Sequence, residues 1–358
     1  YGGLALKTRN VSSAIDKPSV RYHDLIAHQL QVKSYFSKTT REGVDDYLAQ
    51  RHKDVESGII VKGRYGTIKT HLGHWLSFIG RDTKLKELER TDCENYFHER
   101  TKTKRNIAIS QTTVLNEQST INAMISWLYK CRETYIDGFD FKKLKRIDTG
   151  IDANRRSSFS EDEITDIVAA IEANLADAVK TITDEESVTK YIVGHYLLIS
   201  IMSGLRRGEQ LNLRWQDIDW MERNVGGQQK SLVKITVRGE TSKVRKTRQF
   251  VIKDHEHFDN LFKFLQPRHL KAQKGLSDKT TFGNTLIFSV EGVSPITVRS
   301  IDYHFKKVLE QAKIKNRDKR DLVPYSFRHY FITNKVNSGL MPHQVAEMCG
   351  TSSTQIEK

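Results

Sequence analysis

The sequence contains few of the residues that cross-link or interrupt a chain. Its three cysteines, Cys93, Cys131 and Cys349, lie far apart and form no Cys-x-x-Cys pair. We therefore expect neither a disulfide framework nor a zinc site, and a reducing cytoplasm fits this cysteine usage. Only five prolines occur in 358 residues, and so few interruptions favour long helices.

Long apolar runs are also missing. No stretch approaches the roughly 18 apolar residues that a membrane span needs. The start of the chain, Tyr1-Gly2-Gly3-Leu4, lacks the charged segment and apolar run of a signal peptide. It also lacks an initiator methionine, so we expect a chain that is cut or only partly resolved at its N-terminus. These absences predict a cytoplasmic protein that does not span a membrane.

Acidic residues are outnumbered by basic ones. Lysine and arginine total 58 against 44 aspartates and glutamates, and the formal net charge is +14. This excess indicates a polyanionic partner, either nucleic acid or an acidic membrane surface. A hydrophobic fraction of 37%, with aromatics spread along the chain, predicts folded cores rather than a disordered polycation. At ~150 residues per domain, the length suggests two or three domains.

The periodicity of apolar residues divides the chain. Residues 1–55 look like a remnant followed by a helix, and residues 56–150 predict a small all-helical domain. A basic stretch near residues 142–156 is a candidate linker. Residues 157–358 mix helices with β-like segments at 232–237 and 249–252. The predicted fold class is therefore mainly α with a small antiparallel β-sheet.

Three features of the last segment could carry chemistry. The first is Ser203-Gly204-Leu205-Arg206-Arg207-Gly208-Glu209, in which the glycine ends an apolar helix. Arg206 then lies at the start of the next helix, where anions are favoured. Taken alone, the same string fits a capped turn with solvated arginines.

The second feature is a predicted β-hairpin with an unusual charge. From Lys230 to Lys253 there are eight basic residues and one acidic residue, Glu240. An ordinary hairpin tip would mix charges of both signs. Two interpretations therefore remain: contact with phosphate, or an exposed hairpin tip that is merely soluble.

The third feature is Pro324-Tyr325-Ser326-Phe327-Arg328-His329, where Tyr325 and Arg328 share one helix face.

In this order the three features resemble the tyrosine recombinase family, the phage integrases. The resemblance runs from about residue 60 to residue 358 and is most specific in GLRRGEQLNLRWQDID and PYSFRHYFIT. It implies a two-domain, C-shaped clamp: a helical core-binding domain at 56–150 and a mixed α/β catalytic domain at 157–358. Residues 1–55 would then be the remnant of an N-terminal arm-binding region and a linking helix.

The resemblance also implies roles for individual residues. The two catalytic arginines fall on Arg206 and Arg328, with Glu209 supporting the first. Lys243 best matches the hairpin lysine, and Lys246 is the runner-up. In this family a tyrosine hydroxyl attacks a DNA phosphodiester, two arginines clamp the phosphate oxygens, and a lysine protonates the leaving 5′ oxygen. Neither a cofactor nor a metal is expected.

The sequence departs from the family at three points. Tyr325 stands where the family usually has histidine, and a phenol with a pKa near ~10 is a hydrogen-bond donor but a poor base. Thr351 stands at a second histidine position. The nucleophilic tyrosine would fall two residues beyond Lys358, so we expect the chain as given to end before its nucleophile and to be inactive.

The expected partner is double-stranded DNA, bound by a homotetramer with possible accessory DNA-bending proteins. Basic residues on exposed positions are the candidates for DNA contact: Lys62, Lys69, Lys102, Lys104, Arg105, Arg245, Lys246 and Arg248. Two alternatives stay open at this stage. One is a non-catalytic DNA-binding protein on the same fold. The other is a metal-dependent transposase or nuclease, although no carboxylate cluster stands out by its spacing.

Overall fold

A computed structural model describes residues 37–101, 109–142, 157–182, 184–225, 228–253, 256–272 and 282–357. The chain divides into two compact units, Tyr1–Ile147 and Asp148–Lys358. Most described residues are helical, and the named strands form one three-stranded antiparallel sheet, which confirms the predicted fold class. No helix in the described ranges combines the length and apolar character that crossing a bilayer requires.

The first unit is all-helical in its described part. Buried side chains from the second and fourth helices, including Leu72, Trp75, Ile121 and Ile125, form the centre of its core. Its helices are α1 (Thr40–Glu56), α2 (Lys62–Ile79), α3 (Tyr96–Thr101) and α4 (Gln111–Lys130).

Helix α1 belongs to the core of this first unit. Val44 and Tyr47 are buried in it, and Gly43 allows a close approach, since a Cβ there would lie 2.8 Å from Leu85. The sequence predicts a boundary near residue 55, whereas the packing continues N-terminal to that point. The predicted helix-like stretch before residue 37 lies outside the described residues, as does most of the basic linker.

The second unit surrounds a sheet with helices. Its core includes Ile192 and Leu198 from the long apolar helix α6 and Val233 and Ile235 from the central strand. Its elements are α5 (Glu161–Thr181), α6 (Glu185–Ser203), α7 (Arg207–Leu211), β1 (Ile218–Val225), β2 (Gln228–Val237), β3 (Arg248–Ile252), α8 (Glu256–Ala272), α9 (Val298–Gln311), α10 (Ser326–Asn337), α11 (Pro342–Cys349) and α12 (Ser353–Ile356).

Two helix ends follow directly from the sequence. The capping box at the start of α5 forms as its motif predicts, with Glu163 N–H donating to Ser160 Oγ at 3.2 Å and Ser160 N–H donating to Glu163 Oε2 at 2.9 Å. Helix α6 stops at Gly204, which has φ +58°. A Cβ at that position would lie 2.4 Å from the Phe331 ring, so the turn requires glycine.

The sheet has the order β1-β2-β3, with both pairs antiparallel. Strands β2 and β3 contain the two segments that the sequence predicts, and Val233 pairs with Ile252 and Val237 with Arg248. Strand β1 is not predicted by the sequence analysis. Its residues, IDWMERNV, include few β-branched side chains, and pairing with β2 rather than local preference makes them a strand.

Candidate active site

Arg206 is fixed by the turn that joins α6 to α7. It is the N-cap residue of α7, with an extended backbone. Its backbone N–H donates to Glu209 Oε2 at 3.1 Å, and its Nη1 donates to Glu209 Oε1 at 2.9 Å. Glu209 therefore contacts Arg206 directly, because the two residues are three positions apart at a helix start, and its supporting role in catalysis stays a prediction.

Glu209 is a buried carboxylate held by two arginines. It is 1% exposed, and Arg248 donates to it from Nη2 to Oε2 at 2.7 Å and from Nη1 to Oε1 at 3.1 Å. Burial alone would raise the pKa of Glu209, but the hydrogen bonds and charges of Arg248 and Arg206 outweigh burial and hold its pKa below the usual value. Glu209 thus stays ionised.

Arg328 reaches the same place from α10. It is 3% exposed, and burial lowers the pKa of its guanidinium, which nevertheless stays charged because free arginine titrates so high. Its Nη1 donates to the Gly204 carbonyl at 2.6 Å, and its Nη2 donates to the Cys349 carbonyl at 2.7 Å. The αL turn at Gly204 therefore both ends α6 and anchors Arg328.

The two arginines meet at the end of α11. Arg206 Nη1 donates to the Cys349 carbonyl at 3.2 Å, and its Nη2 donates to the Gly350 carbonyl at 2.6 Å. The last carbonyls of a helix have no partner within the helix, and here they accept from both guanidiniums. Gly350 has φ +60°, and a Cβ on it would lie 2.8 Å from Arg248 Nη1. The convergence therefore depends on the absence of a side chain at this glycine.

A pocket of about 380 Å³ opens beside these arginines. Arg206, Arg328 and Tyr325 line it together with residues of α6, α7 and α9. Tyr325 is the N-cap residue of α10, and its ring lies edge-on to His329 with 5.2 Å between centroids. Thr351 is the residue after Gly350, and its hydroxyl donates a hydrogen bond to Gln355 Oε1 at 2.9 Å. Four of the predicted residues, Arg206, Glu209, Tyr325 and Arg328, are thus brought together.

The basic hairpin tip lies between β2 and β3. Lys243, Arg245 and Lys246 are exposed there, and Lys243 is not among the described residues that line the pocket. The neck below the tip is tied by Arg238, which donates to Asp217 at 3.1 Å, and by Gly239 N–H, which donates to Thr247 Oγ1 at 3.0 Å. The tip thus projects from a fixed neck.

Arg248 differs from its predicted role. Its place in the basic hairpin predicts a contact with DNA, but its side chain is only 8% exposed and binds Glu209. It lies on the core-facing side of β3, where Phe250 and Ile252 alternate with exposed residues. That two-residue alternation is the signal that could have revealed its inward direction.

The remaining candidates for DNA contact belong to the first unit. Lys62 and Lys69 are exposed on α2, whose buried residues include Ile68 and Leu72. The predicted contacts at Lys102, Lys104 and Arg105 lie outside the described residues. The roles of all these lysines and arginines stay predictions.

Comparison with known proteins bears on this arrangement. The sequence profile of the phage integrase family matches residues 158–357. The chain belongs to the phage integrase family. That match runs through the second unit from residue 158 to residue 357 and includes Arg206, Glu209, Arg248 and Arg328. No curated protein matches this integrase-family chain in sequence.

Solved structures share the fold of this phage integrase-family chain. The XerH site-specific recombinase bound to difH substrate matches with a TM-score of 0.58 at 15% identity, over 82% of this chain and 75% of XerH. The Tn1549 transposon integrase in complex with transposon right end DNA matches with a TM-score of 0.57 at 15% identity, over 89% of this chain and 93% of that integrase. A lambda integrase dimer bound to a COC′ core site matches with a TM-score of 0.55 at 12% identity, over 90% of this chain and 96% of the lambda integrase chain. At these identities the likeness establishes a tyrosine recombinase fold.

Proposed function

We propose that this protein is a site-specific DNA recombinase, an integrase that cuts and rejoins DNA through a 3′-phosphotyrosine intermediate and so integrates or excises a phage or other mobile element. The observation that carries the proposal is the convergence of Arg206 and Arg328 on the Cys349 carbonyl beside an open pocket. Two permanently charged, planar donors aimed at one point fit a phosphate group.

In the proposed cleavage step, a tyrosine oxygen forms a bond to the scissile phosphorus, and the bond from phosphorus to the 5′ oxygen breaks. The tyrosine gives up its proton and the departing 5′ oxygen gains one. Rejoining reverses the exchange with a 5′ hydroxyl from another strand, so the number of phosphoester bonds is unchanged and no nucleotide cofactor is consumed. Family spacing puts the attacking tyrosine two residues beyond Lys358.

The two arginines stabilise the transition state in this proposal. An arginine has five N–H donors. Within the described residues, Arg206 gives three hydrogen bonds and Arg328 gives two, so both keep donors for the non-bridging oxygens. Charges that are already in place when the phosphorane forms are usually the largest catalytic contribution. Glu209 holds Arg206 in position.

Three further residues complete the proposed chemistry. Lys243, at the exposed hairpin tip, protonates the leaving 5′ oxygen as a general acid. Tyr325 lines the pocket and donates a hydrogen bond from its phenol to the phosphate. Thr351 donates another from its hydroxyl. Neither of these two residues brings the charge that a histidine would bring, so the arginines carry more of the stabilisation here.

We also propose duplex DNA as the partner, bound through Lys62, Lys69, Arg245 and Lys246, all of which are exposed. The relatives with this fold were solved with DNA substrates. The active assembly is a homotetramer on two duplexes, helped by accessory DNA-bending proteins, in the cytoplasm of the host cell. Analytical ultracentrifugation with and without attachment-site DNA measures this stoichiometry.

The decisive experiment is a suicide-substrate assay on the gene product that carries the tyrosine expected after Lys358. A nicked attachment-site duplex should trap the protein on a 3′ phosphate as a covalent adduct, and the matched protein with phenylalanine at that tyrosine should form none. Adduct formation should continue in EDTA. Binding without an adduct would favour the non-catalytic DNA-binding protein, whereas cleavage that stops in EDTA would favour the metal-dependent nuclease.

A further inference from the structure

Strand alternation points Arg248 toward the core. Arg248, Phe250 and Ile252 share one face of β3, and both apolar neighbours are 6% exposed. Arg248 pairs across the sheet with Val237, which is fully buried. A charged side chain on such a face is unfavourable unless it is fully paired.

Three oxygen atoms accept hydrogen bonds from the Arg248 guanidinium. Arg248 Nη2 and Nη1 form a fork on the two Glu209 oxygens at 2.7 and 3.1 Å, and its Nε donates to the Met348 carbonyl at 2.9 Å. One side chain thus joins β3, α7 and the end of α11. These are the strand that follows the hairpin tip, the helix that begins after Arg206, and the helix whose last carbonyls receive both catalytic arginines.

We propose that Arg248 is a positioning residue for strand cleavage, which acts on Arg206 through Glu209 and does not contact DNA. This inference rests on the proposed recombinase function. It gives the final arginine of the Lys243-x-x-Lys246-x-Arg248 pattern a task different from that of the two exposed lysines before it.

The shared carboxylate oxygen explains how the effect is transmitted. Glu209 Oε1 accepts from Arg248 Nη1 and also from Arg206 Nη1 at 2.9 Å. Arg248 therefore holds in place the same Glu209 oxygen that orients the Arg206 guanidinium. A displacement of about 1 Å at a catalytic group can cost ~10²-fold in rate, so a less well-held Glu209 should slow cleavage without affecting DNA binding.

The charges around Glu209 give the role a distinctive signature. The groups that face it are Arg206, Arg248, Arg328 and the Cys349 thiol. Burial raises the pKa of Glu209, and Arg248 contributes most to lowering it again. When Arg248 is replaced by a neutral residue, the pKa of Glu209 should rise, and Glu209 should lose its hold on Arg206 as the solution becomes more acidic.

The test compares single-turnover cleavage of a suicide substrate by wild type, Arg248→Gln, Arg248→Lys and Arg317→Gln across the range from about pH 5 to about pH 8. Arg317 is the matched control, since it is a half-buried arginine of the same unit that pairs with Glu310 at 3.2 Å. Arg248→Gln should cleave about 10²-fold more slowly at neutral pH, with a rate that falls further toward acid. Arg248→Lys should show the pH dependence of wild type but only part of the wild-type cleavage rate, because a point charge cannot form the fork. Arg317→Gln should match wild type.

Two further measurements protect the interpretation. DNA affinity and its salt dependence should be the same in Arg248→Gln as in wild type, whereas a lost phosphate contact would lower the salt slope by about one unit. If Arg248→Gln is too unstable to purify, Glu209→Gln/Arg248→Gln replaces it, because two amides can hydrogen-bond each other. It should cleave little more slowly than Glu209→Gln alone, since both residues act through one contact.

The possible failures are distinguishable. A wild-type protein that forms no covalent adduct would overturn the proposed function itself. Wild-type cleavage with an unchanged rate and pH profile in Arg248→Gln would overturn only the positioning role. A reduced salt slope in that variant would return Arg248 to the set of DNA-contacting residues.

Discussion

Each of the two units contains a glutamate buried to 1% exposure that binds an arginine fork. In the first unit, Glu117 accepts from Arg100 Nε and Nη2, both at 2.8 Å, and from the Tyr96 hydroxyl at 2.8 Å. In this cluster one negative charge meets one positive charge. Its ionic groups are matched, and Arg100 is held against the core of a helical unit.

Glu209 in the second unit is held in the same way but is outnumbered. Arg206 and Arg248 both bind it, and its negative charge also acts on nearby Arg328, whose pKa it raises against the larger effect of burial. Three guanidiniums thus lie around one carboxylate, and the backbone carbonyls of Gly204, Cys349 and Gly350 accept further hydrogen bonds from Arg206 and Arg328. Carbonyls satisfy donors without cancelling their charge, so this cluster keeps a net positive charge beside a pocket.

The difference shows how one motif serves two purposes. A buried carboxylate with one arginine closes a structural pair, because its charge is cancelled where it lies. A carboxylate surrounded by extra arginines cancels only part of their charge, and the remaining positive charge can attract an anion. The number of arginines, rather than the geometry of any one pair, separates the two clusters.

The largest expected effect is on catalysis by the outnumbered cluster. Arg206→Ala should reduce strand cleavage by about 10³-fold or more, with DNA affinity nearly unchanged and with the fold intact because Glu209 keeps Arg248. Arg206→Lys should recover little, since a point charge cannot form a fork. Single-turnover adduct formation and thermal melting measure the two quantities. Normal cleavage by Arg206→Ala would remove the distinction between the clusters.

The next effect is on the stability of the matched cluster. Among the described residues, Arg100→Ala leaves the buried Glu117 carboxylate with the Tyr96 hydroxyl as its hydrogen-bond donor. It should lower the free energy of unfolding by about 3–5 kcal/mol. Glu117→Gln in the same background should restore part of that loss, because it removes the uncompensated charge. Urea titration of the full chain checks both variants. A loss below about 1 kcal/mol in Arg100→Ala would mean that the pair is no better than a surface ion pair.

A smaller effect tests what the positive cluster lacks. Arginines stabilise charge but do not supply a proton at neutral pH, so the leaving oxygen needs another donor. Lys243→Ala should slow cleavage by ~10²-fold while DNA binding is retained. A substrate with a 5′-bridging sulfur, which leaves without protonation, should restore the rate. If Lys246→Ala shows this rescue and Lys243→Ala does not, the general acid is Lys246.

The smallest effect concerns a buried titratable group without a counter-ion. Neither ring nitrogen of His195 has a hydrogen-bond partner among the described residues. Burial, with a smaller contribution from His257 at 5.3 Å between ring centroids, lowers the pKa of His195 to about 3. A depressed histidine pKa means that stability is complete above about pH 6.5 and falls as the pH drops toward about pH 3.

His195→Leu should therefore make unfolding less sensitive to acid. At pH 5 this single group should cost wild type about 2 kcal/mol relative to neutral pH, and the leucine variant should be spared that loss. Denaturant titrations at the two pH values measure the difference. Equal acid sensitivity in both proteins would show that His195 does not control this part of the pH dependence.

The residues that the sequence could predict are those whose partners are local. Glu209 lies three positions after Arg206, and Gly204 ends the helix before it, so a short motif contains the whole relationship. The Cys349 carbonyl that joins Arg206 to Arg328 lies 143 positions after Arg206. It is a backbone group, which no residue type identifies.

Arg248 shows a different limit. Its charge suggests a surface residue, and its position in a basic hairpin suggests DNA, yet strand alternation sends it inward to a carboxylate 39 positions earlier. Strand β1 is hidden for a related reason, since its residues become a strand by pairing with β2. In both cases long-range pairing overrides the local preference that a sequence displays.

The neck of the hairpin has a consequence for engineering. Arg238 binds Asp217, Glu240 and the Asn212 carbonyl, and Gly239 N–H is tied to Thr247. All these contacts lie below Lys243 to Lys246, whose side chains are exposed. Loop tips of this kind tolerate insertion and exchange. We therefore expect the exposed positions Val244 and Arg245 to accept altered residues while the scaffold is left untouched, provided that Lys243 and Lys246, the two candidates for the general acid, are kept.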